Sequence, residues 1–182
     1  WAAFVTSGDV TNPLVCTAAA TELTLQGRID KANAGDTITL SSDTEIAATL
    51  QIAKNLTLDL NGCVLRMRGT GSVLEVSDRA TLTIQDSSAA KSGTITGGNA
   101  SDGGGVYIGD NSSEGHLVMT GGTITGCATD HGRGGGVLVY NGSFTMSGTA
   151  KITNCTAVWG GGVVVHTGSS TFTMNGGEIS DC

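Results

Sequence analysis

The sequence predicts an all-β fold: a right-handed parallel β-helix of about five to six coils, three short strands per coil, with an N-terminal amphipathic capping helix. Three observations predict it. Apolar runs recur in three separate series with a period of 27 to 29 residues. Each run has the length of a short strand. The runs are separated by Gly, Asn, Ser and Asp, with no helix-length segment between them.

The first series ends in Phe-Thr-Met or its equivalent, at Met119, Met146 and Met174, spaced by 27 and 28 residues. The second consists of the triplets Val106-Tyr107-Ile108, Val137-Leu138-Val139 and Val163-Val164-Val165. The third centres on Ile95, Ile124, Ile152 and Ile179, spaced by 29, 28 and 27. The series extend backwards in weaker spelling. "TITL" (37–40), "NLTLDL" (55–60) and "TLTIQD" (81–86) belong to the first, "TLQI" (49–52) and "VLEV" (73–76) to the second, and "CVLRM" (63–67) to the third. Residues alternate within each run, so Leu56, Leu58 and Leu60 point one way and Thr57 and Asp59 the other. A single coil cannot bury its apolar face alone and stacks on the next at about 4.8 Å. An antiparallel barrel would not sort its strands into three recurring classes.

The helix is read from "TELTLQGRIDKANAGD". Thr21 is the expected N-cap, Leu25, Ile29 and Ala32 form a stripe, and Gly35 follows the end. The predicted organisation is therefore an unpatterned segment over 1–20, either an edge strand or the tail of a preceding domain. A capping helix follows over 21–35 and a β-helix over 36–182. The chain stops in mid-coil at "GGEISDC". The expectation is a solenoid that continues in a longer protein, or a subunit that stacks end to end.

Composition narrows the function. Of 182 residues, 29 are glycine and one is proline, 38% are hydrophobic and 4% aromatic, so the core is aliphatic. A net charge of −7 argues against nucleic acid and anionic membrane surfaces, which need clustered Lys and Arg. No apolar run approaches the roughly 18 residues of a membrane span. The five cysteines include no CxxC and no zinc-ligand spacing, so no metal site is expected.

"GGTI" (121–124) and "FTMN" (172–175) resemble the GGAI and FxxN repeats of polymorphic outer-membrane proteins. Over roughly residues 21–182 the pattern is similar to the β-helix repeats of bacterial cell-surface and adhesin proteins, which share the pectate-lyase-like fold. It departs from them at Ser147, which replaces the last Asn in "FTMS", and in writing GGGV for GGAI in the valine series. The resemblance implies an extracellular or cell-surface setting. It leaves activity open, because lyases, hydrolases, adhesins and passive stalks share this fold.

The glycine triplets at 103–105, 134–136 and 160–162 are followed by strands and no Lys, so they predict a stacked corner and not a phosphate loop. Cys127, Cys155 and Cys182 each lie three residues after a central Ile and should form a column of buried thiols. Asp59, Glu75 and Glu178 are isolated acids, Glu178 facing Lys151 one coil earlier. The corner with Asp102, Asp130, His131 and Arg133 is the enzyme candidate. There Arg133 or His131 would act as base and the acids would hold Ca²⁺, against the simpler reading of a long solvated loop. A column of Thr39, Thr57, Thr83, Val118, Thr145 and Thr173 looks like the face of an ice-binding solenoid, and Thr is also the ordinary exposed strand residue. Tyr107, Leu138 and Val164 should point outward, with Tyr140 and His166 two positions on and Trp159 at the corner before. That apolar and aromatic stripe predicts a contact surface for glycan, surface protein, an adjoining domain or a sister subunit.

The expected function is a non-catalytic extracellular adhesin-type module without cofactor. A polysaccharide lyase or glycoside hydrolase is the alternative, with Ca²⁺ admitted only there, and an ice-binding or filament-forming solenoid is the third reading.

Overall fold

The computed structural model describes residues 23–166 and 168–182. Segment 1–20, Thr21 and Cys16 lie outside the described residues. The chain winds as a parallel β-solenoid, and the three predicted series become three parallel sheets. The first holds Thr37–Thr39, Leu56–Asp59, Thr81–Gln85, Gly115–Met119, Gly142–Met146 and Thr171–Met174 in that order. We call it the threonine sheet. The valine sheet stacks Leu50–Ile52, Leu74–Val76, Val106–Ile108, Val137–Val139 and Val163–Val165. The isoleucine sheet stacks Thr44–Ile46, Val64–Met67, Thr94–Thr96, Thr123–Thr125, Lys151–Thr153 and Glu178–Ser180. The short strands Asn99–Ala100 and Ala128–Thr129 form a fourth, two-stranded sheet, continued by an isolated bridge from Ala128 to Thr156.

Inward residues stack on their own kind. Leu117, Phe144 and Phe172 are in register, as are Met119, Met146 and Met174. The rings of Phe144 and Phe172 stack at 4.9 Å and 22°. Ile124 pairs with Ile152 and Ile152 with Ile179. The core is fully closed at Leu82, Ile84, Ile95, Ile108, Ile124 and Phe144.

The glycine triplets form the predicted corner, and the reason is steric. Backbone bonds run from coil to coil through it: Gly103 donates to Arg133 (2.8 Å), Gly104 to Gly134 (3.1 Å) and Gly105 to Gly135 (3.0 Å). A Cβ on Gly104 would lie 2.5 Å from the Ala128 carbonyl oxygen and 2.6 Å from that of Gly135. One on Gly136 would lie 2.6 Å from Cγ2 of Ile152, so here the corner meets the isoleucine sheet directly. The first glycine of each triplet, Gly103, Gly134 or Gly160, has φ of 64°, 67° or 60°, a conformation that L side chains avoid.

Three expectations are corrected. The helix spans Leu25–Lys31, shorter than 21–35, and its N-cap is Thr24, whose Oγ1 accepts the Gly27 N–H at 3.1 Å. The stripe is right: Leu25 and Ile29 are buried, and Ala32 packs against the core as the C-cap. Second, Thr37 and not Thr39 aligns with Thr57; Thr39 aligns with Asp59. The outward column is therefore Thr37, Thr57, Thr83, Val118, Thr145 and Thr173. The apolar residues fix this register, because Ile38 must pair with Leu58 to stay inside. Third, Thr44–Ile46 is a strand of the isoleucine sheet, with Ile46 on Met67. Its single apolar residue left no alternation to read.

The helix closes one end of the solenoid at atomic level. The Gln26 side-chain amide imitates a neighbouring strand: Oε1 accepts the Gln51 N–H at 2.9 Å and Nε2 donates to the Gln51 carbonyl at 3.2 Å. Lys54 donates to the carbonyls of Asp30 (2.9 Å) and Ala32 (3.0 Å) at the helix C-terminus.

Candidate functional site: the valine-sheet face and its corner

Glu75, Tyr107, Leu138 and Val164 are in register on successive strands, with Gln51 before them donating to Glu75 at 3.0 Å. Two residues after the column, Tyr140 stands between two aromatic neighbours. Its ring stacks on Tyr107 at 5.8 Å and 21°, and meets the His166 ring at 4.7 Å and 36°. The Tyr140 hydroxyl donates to Oδ1 of Asn111 at 2.6 Å. The result is a ladder of rings across three coils, whose paired valine strands lie 31 and 26 residues apart in the chain.

Leu138 is not part of the accessible surface. It is fully buried, although its strand neighbours Val137 and Val139 are the residues that face the core. It lies between Tyr107 and Val164, and the corner turns back against it: a Cβ on Gly134 would be 3.0 Å from the Leu138 Cα. Leu138 is a support for the face and not a contact. Tyr107 is partly buried, and burial, followed by the neighbouring Tyr140 hydroxyl and the carboxylates of Asp102, Glu75 and Asp110, pushes its hydroxyl up to about 12.

The enzyme candidates and the aromatic stripe, predicted as separate features, meet through Arg133. Oδ1 of Asp102 accepts the Arg133 backbone N–H at 2.9 Å and Nε–H at 3.3 Å, and Oδ2 accepts from Nη2 at 3.2 Å. On its other side Arg133 Nη1 donates to Nδ1 of His166 at 2.6 Å. The hydrogen bonds that it donates to Asp102 raise the guanidinium above its already high range, so Arg133 remains a cation. That works against Arg133 as a general base, which would have to be neutral.

Beside this network lies a groove of about 620 Å³ whose lining includes Asn99, Ser101, Asp102, Asp130, Arg133 and Trp159. The strand Asn99–Ala100 and the segments 101–102 and 130–133 line it. Trp159 bridges in parallel to Arg133, and its carbonyl accepts from Gly134 at 3.0 Å. Its backbone is thus fixed while the residue is 65% exposed; neighbouring Val158 is 58% exposed. Asp130 and His131 are exposed at the groove. Among the described residues the ion pairs are Arg68–Glu45, Arg133–Asp102 and Lys151–Glu178, so Asp130 belongs to none. Sequence reading missed Asn99, Ser101 and Asn111. All three are ordinary polar turn residues in the sequence, and nothing local links Asn111 to Tyr140.

The remaining candidates are structural. Lys151 and Glu178 pair at 2.8 Å on an exposed surface. Asp59 and Asp86 are buried corner acids. Burial alone would raise both, but the N–H groups of Ser87 and Asn61 on Asp59, and of Gly93, Ser88 and Gly62 on Asp86, outweigh it and hold both below the usual carboxylate value. Cys63, Cys127, Cys155 and Cys182 are free thiols, and Cys182, expected in the buried column, is exposed. Cys127 and Cys155 are buried, and the hydrogen bond with Cys127, together with burial, pushes the Cys155 thiol up, which makes it a poor nucleophile. Among the described residues no group of three or more His, Cys, Asp and Glu is arranged to hold a metal ion, and no helix is long and apolar enough to cross a membrane.

Comparison with protein-family models, curated proteins and solved structures finds no match. The fold and the site define a parallel β-solenoid protein with a corner groove.

Proposed function

We propose that this protein is a non-catalytic surface module of the extracellular space, a rigid solenoid that holds a carbohydrate-binding groove at one corner. One observation carries the reading: the exposed Trp159, fixed by backbone bonding, beside a groove lined by Asn99, Ser101, Asp102, Asp130 and Arg133. Sugars present an apolar C–H face and a rim of hydroxyls. An exposed indole on a fixed backbone, next to amides, hydroxyls and carboxylates, matches both. The extracellular setting rests on the resemblance of the repeats to cell-surface proteins. The bidentate pair of Arg133 with Asp102, and its second bond to His166, favour a structural over a catalytic role for the group a lyase would need most.

The test is a glycan-array screen run alongside a polysaccharide-degradation screen on the same sample. Saturable binding lost in Trp159→Ala, with no depolymerisation, is the expected result. Depolymerisation abolished by Arg133→Ala would establish the lyase or hydrolase instead.

A further inference from the structure

We propose that the groove selects glycans carrying free amino groups, with Asp130 pairing the ammonium of an amino sugar whose ring lies on Trp159. The inference rests on the carbohydrate-binding reading and adds its charge preference. Four observations carry it. The groove wall holds two carboxylates, Asp102 and Asp130, and one permanent cation, Arg133. Arg133 is already committed, to Asp102 on one side and to His166 on the other. That leaves Asp130, exposed beside His131 and outside every ion pair among the described residues, as the groove carboxylate without an ionic partner. Trp159 adds the negative face of an indole, which attracts a cation on its own account.

The surroundings reinforce this sign. Glu75 stands in register beside Tyr107 of the adjoining ring ladder, and the chain carries a net charge of −7. A polyuronate would bring carboxylates into a field that already repels them, whereas an ammonium is drawn in by both Asp130 and the indole. Neutral sugars retain the stacking and hydroxyl contacts but gain nothing from Asp130.

The test is calorimetric titration of the whole chain at pH 6 and low salt. The probes are a glucosamine tetrasaccharide, its fully N-acetylated counterpart and a galacturonate tetrasaccharide. The expected order is glucosamine first, by roughly threefold to tenfold over the acetylated form, with the galacturonate weakest. Asp130→Asn should lower the affinity for the glucosamine tetrasaccharide to that of the acetylated form, erasing the advantage of the free amine. Trp159→Ala should weaken both, and circular dichroism should show that both variants stay folded. Equal affinity for the amine and its acetylated form, or preference for galacturonate, overturns the charge assignment while leaving a carbohydrate site standing. No binding of these probes or of any glycan on the array overturns both.

Discussion

Arg133 donates a hydrogen bond to His166 at 2.6 Å, although 33 residues separate them in the chain. The contact joins the charged corner to the aromatic ladder, because His166 touches Tyr140 and Arg133 holds Asp102. A double-mutant cycle with Arg133→Ala and His166→Ala should therefore give a coupling energy of about 0.5–1 kcal/mol in urea denaturation, the low end of the range for contacting residues. Strict additivity would mean that the two groups are independent in solution.

Leu138 should behave as a core residue despite its outward position. Leu138→Ala is expected to cost about 2–3 kcal/mol, near the lower end of the buried Leu→Ala range. The stability loss, measured by urea denaturation, should be at least twice that of Val165→Ala, whose side chain belongs to a residue 41% exposed.

The glycine corner makes a sharp pair of predictions. Gly104→Ala forces a Cβ to 2.5 Å from a backbone carbonyl oxygen that has no freedom to move, and should cost about 3 kcal/mol or more, or prevent folding. Gly168→Ala places its methyl in open space and should leave stability within about 0.5 kcal/mol of the parent. Thermal melts followed by circular dichroism would separate the two.

Acid should unfold the solenoid through its buried corner acids. Asp59 and Asp86 have folded values below the ordinary 3.8, so the protons bind more readily to the unfolded chain. Their stabilisation is fully present above that ordinary value and is lost as pH falls through the lower folded value. The urea midpoint should change little from these two groups between about pH 7 and pH 5, then drop below about pH 4. Asp86→Asn should lower stability at neutral pH and flatten the acid drop. An unchanged acid limb would show that Asp86 titrates normally.

The helix should act as a plug against strand addition. Gln26→Ala frees the N–H and carbonyl of Gln51, and pairing it with Ile29→Asp should loosen the helix from the first coil. Light scattering should then show concentration-dependent association that the parent chain lacks at this end. A monodisperse double variant would mean that the edge is protected by something other than the helix.

The sequence by itself determined the solenoid. The three recurring series fix which residues face inward, and inward residues can pair only with their counterparts one coil on, so the sheets and nearly every register follow. It also determined the glycine corner, the buried thiols of Cys127 and Cys155 and the Lys151–Glu178 pair, each a consequence of period alone. Where the apolar signal thinned, legibility failed. Thr44–Ile46 carries one apolar residue, the Thr39 column slipped by two positions, and the helix start moved from Thr21 to Thr24. The site was legible as a set of residues, and its connections were not. Only the tertiary structure decided that Leu138 is sealed, that Asp102 and His166 share Arg133, and that Asp130 is left without a cation beside Trp159. The physical reason is that period places backbones, whereas outward side chains are free to choose partners along, across or around the coil. Which of them meet depends on loop length and corner geometry, and no repeat specifies those.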